Sequence, residues 1–277
     1  MEDFRQTLGR ISPTISYPPQ TIGSTTEYDR QRAVWANEVP GDLKGYDCPE
    51  CQNRGFSMYA DPGGGISARR CRCMALRAAR TAMQRCGIAS DTLDVCTWDR
   101  WEKPTRWQER AEEMGREYVR RCLEEPAFPG WFIAAGRPGC GKTRLCSTIL
   151  REILLGGKRG QYVSWRDFAR QAKGVANDGS RFSELVGPVK TSPVVYIDDL
   201  MKNHTTAADM GIIFEVLNER YSAGRPTIIS SELTIDAVLR GDEAIGSRMY
   251  ERSTGFYLDL SRAKNYRLKN KESEETP

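Results

Sequence analysis

A chain of 277 residues with 39% hydrophobic side chains has the length of about two domains and enough apolar content for a real core. No stretch approaches the ~20 apolar residues of a membrane helix, and Glu2 and Asp3 stand where a secretory leader would be basic, so the chain reads as cytoplasmic, with no membrane partner. Its nine cysteines are odd in number and four fall in two tight pairs, a pattern of metal ligation in a reducing compartment, while a charge of +4 is too mild to demand nucleic acid.

Residues 1–45 carry Pro13, Pro18, Pro19 and Pro40 among scattered polar residues, with no sustained helical or strand period. They are expected to form an arm with little structure of its own. Residues 46–75 hold Cys48-Pro49-Glu50-Cys51, a Gly63-Gly64-Gly65 turn and Cys71-Arg72-Cys73. Four thiolates at short pairwise spacing suit tetrahedral zinc, although the second pair is one residue tighter than the usual knuckle. A redox dithiol and four unrelated thiols are the competing readings. With Cys48, Cys51, Cys71 and Cys73 all used, no position is left for water, so the zinc would be structural, contributing about 10 to 16 kcal/mol of apparent binding energy.

A helical linker is expected over residues 76–106. Met74 to Cys86, rich in Ala, Leu, Met and Arg, favours a helix with Gly87 as its stop, and Gln108 to Leu123 favours another. Between Pro62 and Ser90 there are six arginines (Arg69, Arg70, Arg72, Arg77, Arg80, Arg85) and no acid. These, and Lys264, Arg267, Lys269 and Lys271 near the C-terminus, either contact nucleic-acid phosphates or coat a solvated surface. Tyr266 is the lone aromatic in the second run, which gives base stacking little support.

Over residues 107–271 short apolar runs alternate with helical segments, the signature of β-α units and an α/β fold with a five-stranded parallel sheet. The runs are Trp131 to Ala135, Gln161 to Ser164, Val194 to Ile197, Thr227 to Ser230 and Phe256 to Leu260. Ile212, Ile213, Val216, Leu217 and Tyr221 recur at helical spacing and would cover one sheet face. Residues 272–277 read as a disordered tail.

After the first run, Gly136-Arg137-Pro138-Gly139-Cys140-Gly141-Lys142-Thr143 fits the P-loop pattern between a strand and a helix. Its glycines let the backbone curl so that N–H groups, including those up to Arg144, point at phosphate oxygens beside a helix N-terminus. Lys142 is expected to neutralise the β- and γ-phosphates of ATP, and Thr143 to hold Mg²⁺. The third run ends in Asp198 and Asp199. Asp198 would hold the Mg²⁺ shell, and Asp199 would orient or deprotonate the attacking water.

Trp131-Phe132-Ile133, the P-loop, Tyr196 to Leu200, Phe214 to Tyr221, Thr227 to Leu233 and Ala244 to Arg248 together resemble the helicase loaders of the DnaC and DnaI type, a branch of the AAA+ ATPases, and especially their phage-encoded relatives. The resemblance runs from about Cys48 to Lys269 and includes the cysteine module. It implies an AAA+ core that hydrolyses ATP at a site shared between protomers of a homo-oligomer, with Arg248 reaching into the neighbouring site and Arg252 as its substitute. It further implies a DnaB-type hexameric replicative helicase gripped by residues 1–75, and single-stranded DNA, as partners. Glu232 occupies the place of a polar sensor that is commonly Asn or Asp, and Ser231 could serve instead. Too little chain follows Leu260 for a helical lid, which implies weak turnover by an isolated monomer. A transposition-helper ATPase binding duplex DNA and an ATP-switch adaptor with little hydrolysis are the rival readings. His204 and the remaining cysteines, Cys86, Cys96, Cys122, Cys140 and Cys146, receive no catalytic role.

Overall fold

The computed structural model describes residues 25–44, 47–85, 95–202 and 205–268. Cys86, Gly87, His204, Lys269, Lys271 and the 272–277 tail lie outside the described residues. The chain divides into two compact units, Met1–Met74 and Ala75–Pro277.

In the first unit, helix α1 (Thr25–Glu38) precedes an antiparallel hairpin of β1 (Phe56–Ala60) and β2 (Ile66–Arg70), in register from Phe56 opposite Arg70 to Ala60 opposite Ile66. The helix falls where an arm of little structure is expected. Its sequence, TTEYDRQRAVWANE, carries no apolar stripe, and polar contacts anchor it instead. Asn37 exchanges two 2.9 Å hydrogen bonds with the backbone of Met58, and buried Asp29 accepts from the Gly65 N–H at 2.6 Å. Arg54 donates to the carbonyls of Ala36 (2.6 Å) and Val39 (3.0 Å), a cation at the helix C-terminus. Gly64 and Gly65, at φ +90° and +96°, make the hairpin turn that a side chain would strain.

Helix α2 (Cys73–Arg85) begins at the last cysteine of the cluster, one residue before the expected start. In the second unit, α3 (Arg106–Glu124) matches the helix expected from Gln108. A parallel sheet follows in the order β4 (Gly160–Ser164), β5 (Val194–Leu200), β6 (Thr227–Ser231), β3 (Trp131–Gly136), β7 (Tyr257–Leu260). All five expected strands are present.

Alternation along the strands divides the core into two layers. Phe132, Ala134, Tyr196 and Ile228 face α3 and α4 (Lys142–Leu155), where Tyr118, Leu145, Ile149 and Ile153 are fully buried. Trp131, Ile133, Val195, Ile197 and Ile229 face the other way. There they meet α5 (Trp165–Gly174), α6 (Gly179–Thr191), α7 (Ala207–Ser222), α8 (Ile235–Gly241) and α9 (Glu243–Arg252). The expected stripe of Ile212, Ile213, Val216 and Leu217 lies on α7 in this second layer.

Arg220 is fully buried on α7. Its guanidinium donates to Val189 O (2.9 Å), Ser192 O (2.8 Å), Pro226 O (2.6 Å) and Thr227 Oγ1 (2.9 Å), tying the end of α6 to the start of β6. Burial pulls its pKa down to about 9, which leaves it a cation at neutral pH.

Candidate ATP site and cysteine cluster

The P-loop runs from the end of β3 to the start of α4. Gly136, Gly139 and Gly141 stand at φ +139°, +75° and +98°, so the loop needs a glycine at each. A Cβ on Gly136 would also strike the Leu260 backbone, and one on Gly139 the side chain of Asn265. The loop is braced from the C-terminal side, where Tyr266 N donates to Gly139 O at 3.0 Å. Cys140 is buried with its thiol on Arg137 O at 2.9 Å, and Pro138 lies exposed at the loop surface.

Lys142 is buried and its ammonium donates to Gly136 O (2.7 Å) and Arg137 O (2.8 Å), which concentrates positive charge inside the curl. The Arg144 guanidinium donates to the Arg100 carbonyl. Thr143 Oγ1 donates to Asp198 Oδ1 at 3.1 Å, so the two oxygen ligands expected for magnesium meet across β5 and α4. A hydroxyl and a carboxylate fit a hard cation that keeps several waters.

Asp198 is buried at the centre of a hydroxyl cluster. Its carboxylate accepts from Tyr196 (2.5 Å), Tyr162 (2.9 Å) and Ser230 (2.5 Å) as well as Thr143. Burial, with the Asp198 charge adding to it, pushes both phenols up, so Tyr162 and Tyr196 stay neutral donors. None of these three partners is singled out by spacing in the sequence. Each lies in an apolar run; Tyr196 shares a face of β5 with Asp198 two residues on, and strand register brings Tyr162 and Ser230 to it.

Asp199 sits in a register shift between Ile197 and Leu200 with φ +56°, an uncommon conformation for a non-glycine residue. The bulge breaks the alternation of the strand and re-aims its side chain. The Asp199 N–H donates to Ser230 Oγ at 2.9 Å, and its carboxylate pairs with Lys202 at 2.8 Å. Glu232, read as a sensor, also pairs with Lys202, at 3.3 Å. Ser231, the other sensor reading, is buried with its hydroxyl between Leu200 O (2.9 Å) and Leu233 N (3.1 Å). The polar contact with both acids therefore comes from Ser230.

Arg248 and Arg252 lie on α9, away from these contacts. Arg248 donates to Ala244 O and packs over Phe214 and Tyr221, 5.4 Å from each ring centroid. Arg252 is tied to Tyr221, 4.4 Å from its ring and donating to its carbonyl at 2.9 Å.

In the first unit the sulfurs of Cys48, Cys51, Cys71 and Cys73 are buried and lie within 4.8 Å of one another. Cys48 and Cys71 are 3.8 Å apart, Cys51 and Cys73 3.5 Å. Four Zn–S bonds of about 2.3 Å in a tetrahedron would set the sulfurs roughly 3.8 Å apart, so the cluster fits zinc. Burial opposes ionisation of Cys51, but the Gly55 N–H and the neighbouring thiols hold it at about 7, whereas burial pushes Cys71 up to about 12. A cation at the centre would stabilise all four thiolates together. No disulfide joins the eight described cysteines, and Cys96, Cys122, Cys140 and Cys146 are buried at separate places. Of the arginines in the acid-free stretch, Arg72 pairs with Glu50 at 2.7 Å and Arg69 stacks 4.9 Å from the Tyr59 ring. No described helix is long and apolar enough to cross a membrane.

The family described as IstB-like ATP binding protein matches residues 131–274. The phage-like element PBSX protein XkdC of Bacillus subtilis (strain 168) is 29% identical over 240 residues, covering 83% of this chain and 88% of that protein. The replicative helicase loader DnaC of Escherichia coli (strain K12) is 24% identical over 158 residues, 57% of this chain and 62% of that protein. A crystal structure of the DnaC helicase loader superposes with a TM-score of 0.54 at 24% identity, covering 60% of this chain and 97% of that one, a likeness of fold.

Proposed function

The chain belongs to the IstB-like ATP-binding proteins, and from that premise we propose that it hydrolyses ATP to load a replicative helicase of the DnaB type onto single-stranded DNA. The observation that carries the catalytic part is the meeting of Thr143 and Asp198 at 3.1 Å, with Asp199 re-aimed beside them by the β5 bulge. The loading part is supported by similarity to the loader DnaC, together with a cysteine cluster in a separate unit.

In this reading the inward-facing N–H groups of Gly139, Cys140, Gly141, Lys142 and Thr143 bind the phosphates, and Lys142 neutralises charge on the β- and γ-oxygens. Magnesium, held by Thr143 and Asp198, supplies further neutralisation of the triphosphate. Tyr162, Tyr196 and Ser230 keep the Asp198 carboxylate in place. Asp199 orients the water whose oxygen bonds to the γ-phosphorus as the β–γ bridge breaks and leaves with its electrons on ADP. Arg248 comes from a neighbouring protomer and stabilises the charge of the transition state. Arg252, like Arg248 packed against Tyr221, is the substitute candidate.

The ATPase domain spans residues 107–271. Residues 1–75, which include the structural zinc module of residues 46–75 with Cys48, Cys51, Cys71 and Cys73 as its ligands, grip the helicase. A pulldown of the cognate DnaB-type helicase tests the grip, comparing the full chain with Cys51→Ser. Capture by the full chain with loss in the variant is expected, and equal capture by both would sink the assignment. Tighter binding of duplex than of single-stranded DNA would favour a transposition helper.

A further inference from the structure

A guanidinium that acts in a neighbouring site has to project from its own protomer, yet Arg248 is folded back. Its Nη1 donates to Ala244 O, one turn earlier on α9, so the side chain lies along its own helix. Its Cζ stands 5.4 Å from the ring centroid of Phe214 and 5.4 Å from that of Tyr221. Phe214 and Tyr221 are two turns apart on one face of α7, and their rings share the cation.

The two rings differ in how they are held. Tyr221 is tied at both ends, its hydroxyl donating to Glu251 Oε2 at 2.7 Å and its carbonyl accepting from Arg252 at 2.9 Å. Phe214 is 40% exposed, whereas its neighbours Ile213, Val216 and Leu217 are buried in the core. Its ring therefore adds little to the core, and the charged group it meets is Arg248.

The hold on Arg248 is light. A cation over an aromatic face at a solvated site shifts an equilibrium by only a small factor. Among the described residues, the buried Nε of Arg248 finds no hydrogen-bond partner, so the guanidinium gives up a donor to stay where it is. The oxygens of a triphosphate offer a planar guanidinium paired, charge-assisted hydrogen bonds that two rings cannot match.

We propose that Phe214 and Tyr221 are positioning residues for Arg248: they stow its guanidinium on its own protomer, and the ATP-occupied site of a second copy of this chain draws it out. The inference rests on the reading of Arg248 given under Proposed function. Stowing raises the protein concentration at which the shared site forms and leaves the chemistry of the formed site unchanged.

Steady-state ATP turnover by the full chain across a range of protein concentrations tests this with two variants. Phe214→Leu keeps apolar bulk and removes the ring, and Phe214→Tyr keeps the ring. Phe214→Leu is expected to reach half-maximal specific turnover at about 2- to 5-fold less protein than wild type, with the same plateau and the same KM for ATP. Phe214→Tyr should follow wild type. Binding of a fluorescent ATP analogue by each variant reports that the site is folded. An unshifted half-maximal concentration for Phe214→Leu, with analogue binding intact, would overturn stowing. A higher one would also overturn it, and would assign the ring to the contact between protomers. An equal shift in Phe214→Tyr would remove the aromatic face as the holding group and overturn the proposal as well. Wild-type turnover that is linear in protein, or kept by Arg248→Ala, overturns the shared-site reading and stowing with it. Wild-type turnover that depends on both concentration and Arg248, beside an unshifted Phe214→Leu, overturns stowing alone.

Discussion

Ser230 Oγ donates to Asp198 Oδ1 at 2.5 Å and accepts from the Asp199 N–H at 2.9 Å, so one hydroxyl on β6 holds both acids at the end of β5. Ser231, next in the chain, turns its hydroxyl to the backbone of Leu200 and Leu233. Ser230→Ala removes a hydrogen bond to a charged group, about 1.5 to 3 kcal/mol, and should lower kcat for ATP about 10- to 100-fold. Ser231→Ala should leave kcat within about threefold of wild type and lower the melting temperature instead, because its partners are structural. Parallel turnover and melting measurements check the pair.

Arg220 supports the layer behind the site. Replacing it with Met takes the guanidinium donor from the carbonyls of Val189, Ser192 and Pro226, of which Pro226 O keeps the Val195 N–H at 3.4 Å. The loss should be about 3 kcal/mol or more, seen as a lower midpoint in denaturant, since each buried unsatisfied group costs about 1 to 3 kcal/mol. Lysine cannot reproduce the planar fork, and Arg220→Lys should recover only part of the loss.

The cysteine cluster should carry about one zinc per chain by elemental analysis, lost with Cys51→Ser or on exhaustive chelation. Removal should unfold the first unit, measured as new protease cleavage between α1 and β2. ATP-analogue binding by the second unit should persist.

Asp209 closes a reciprocal cap with Thr206 at the start of α7 and pairs with Lys173 at 2.8 Å. Burial opposes its charge, but Lys173 and Thr206 outweigh burial and hold its pKa below the ordinary value. The sign follows: stability from this carboxylate is fully present above its unfolded pKa, about 3.9, and is lost as pH falls through the lower folded value. Asp209→Asn should be less stable than wild type at pH 6, and the gap should narrow below about pH 4 in denaturant titrations.

Much of the second unit was legible because its signals are local. An apolar run from Trp131 to Ala135 followed by three glycines and Lys142 can be read without knowing a single tertiary contact, and the α7 stripe announces its buried face. What could not be read depends on register. Tyr162 and Ser230 sit in runs that look like core, and they become partners of Asp198 only once β4, β5 and β6 are aligned. The bulge after Ile197 has no glycine to mark it. Helix α1 escaped for a different reason, since Asn37, Asp29 and Arg54 anchor it through hydrogen bonds that leave no periodic trace. Lys202 looks like any solvated lysine until its ion pairs with Asp199 and Glu232 are seen.

The most direct test of hydrolysis at a shared site is ATP turnover across a range of protein concentrations, with and without single-stranded DNA, for wild type, Lys142→Ala and Arg248→Ala. Specific turnover should rise with protein concentration and with DNA. Both variants should be nearly silent, Arg248→Ala by a factor on the order of 10³, and mixing the two should restore part of the activity through hybrid sites. Turnover that is linear in protein, indifferent to DNA and retained by Arg248→Ala would contradict a site completed by a neighbouring protomer.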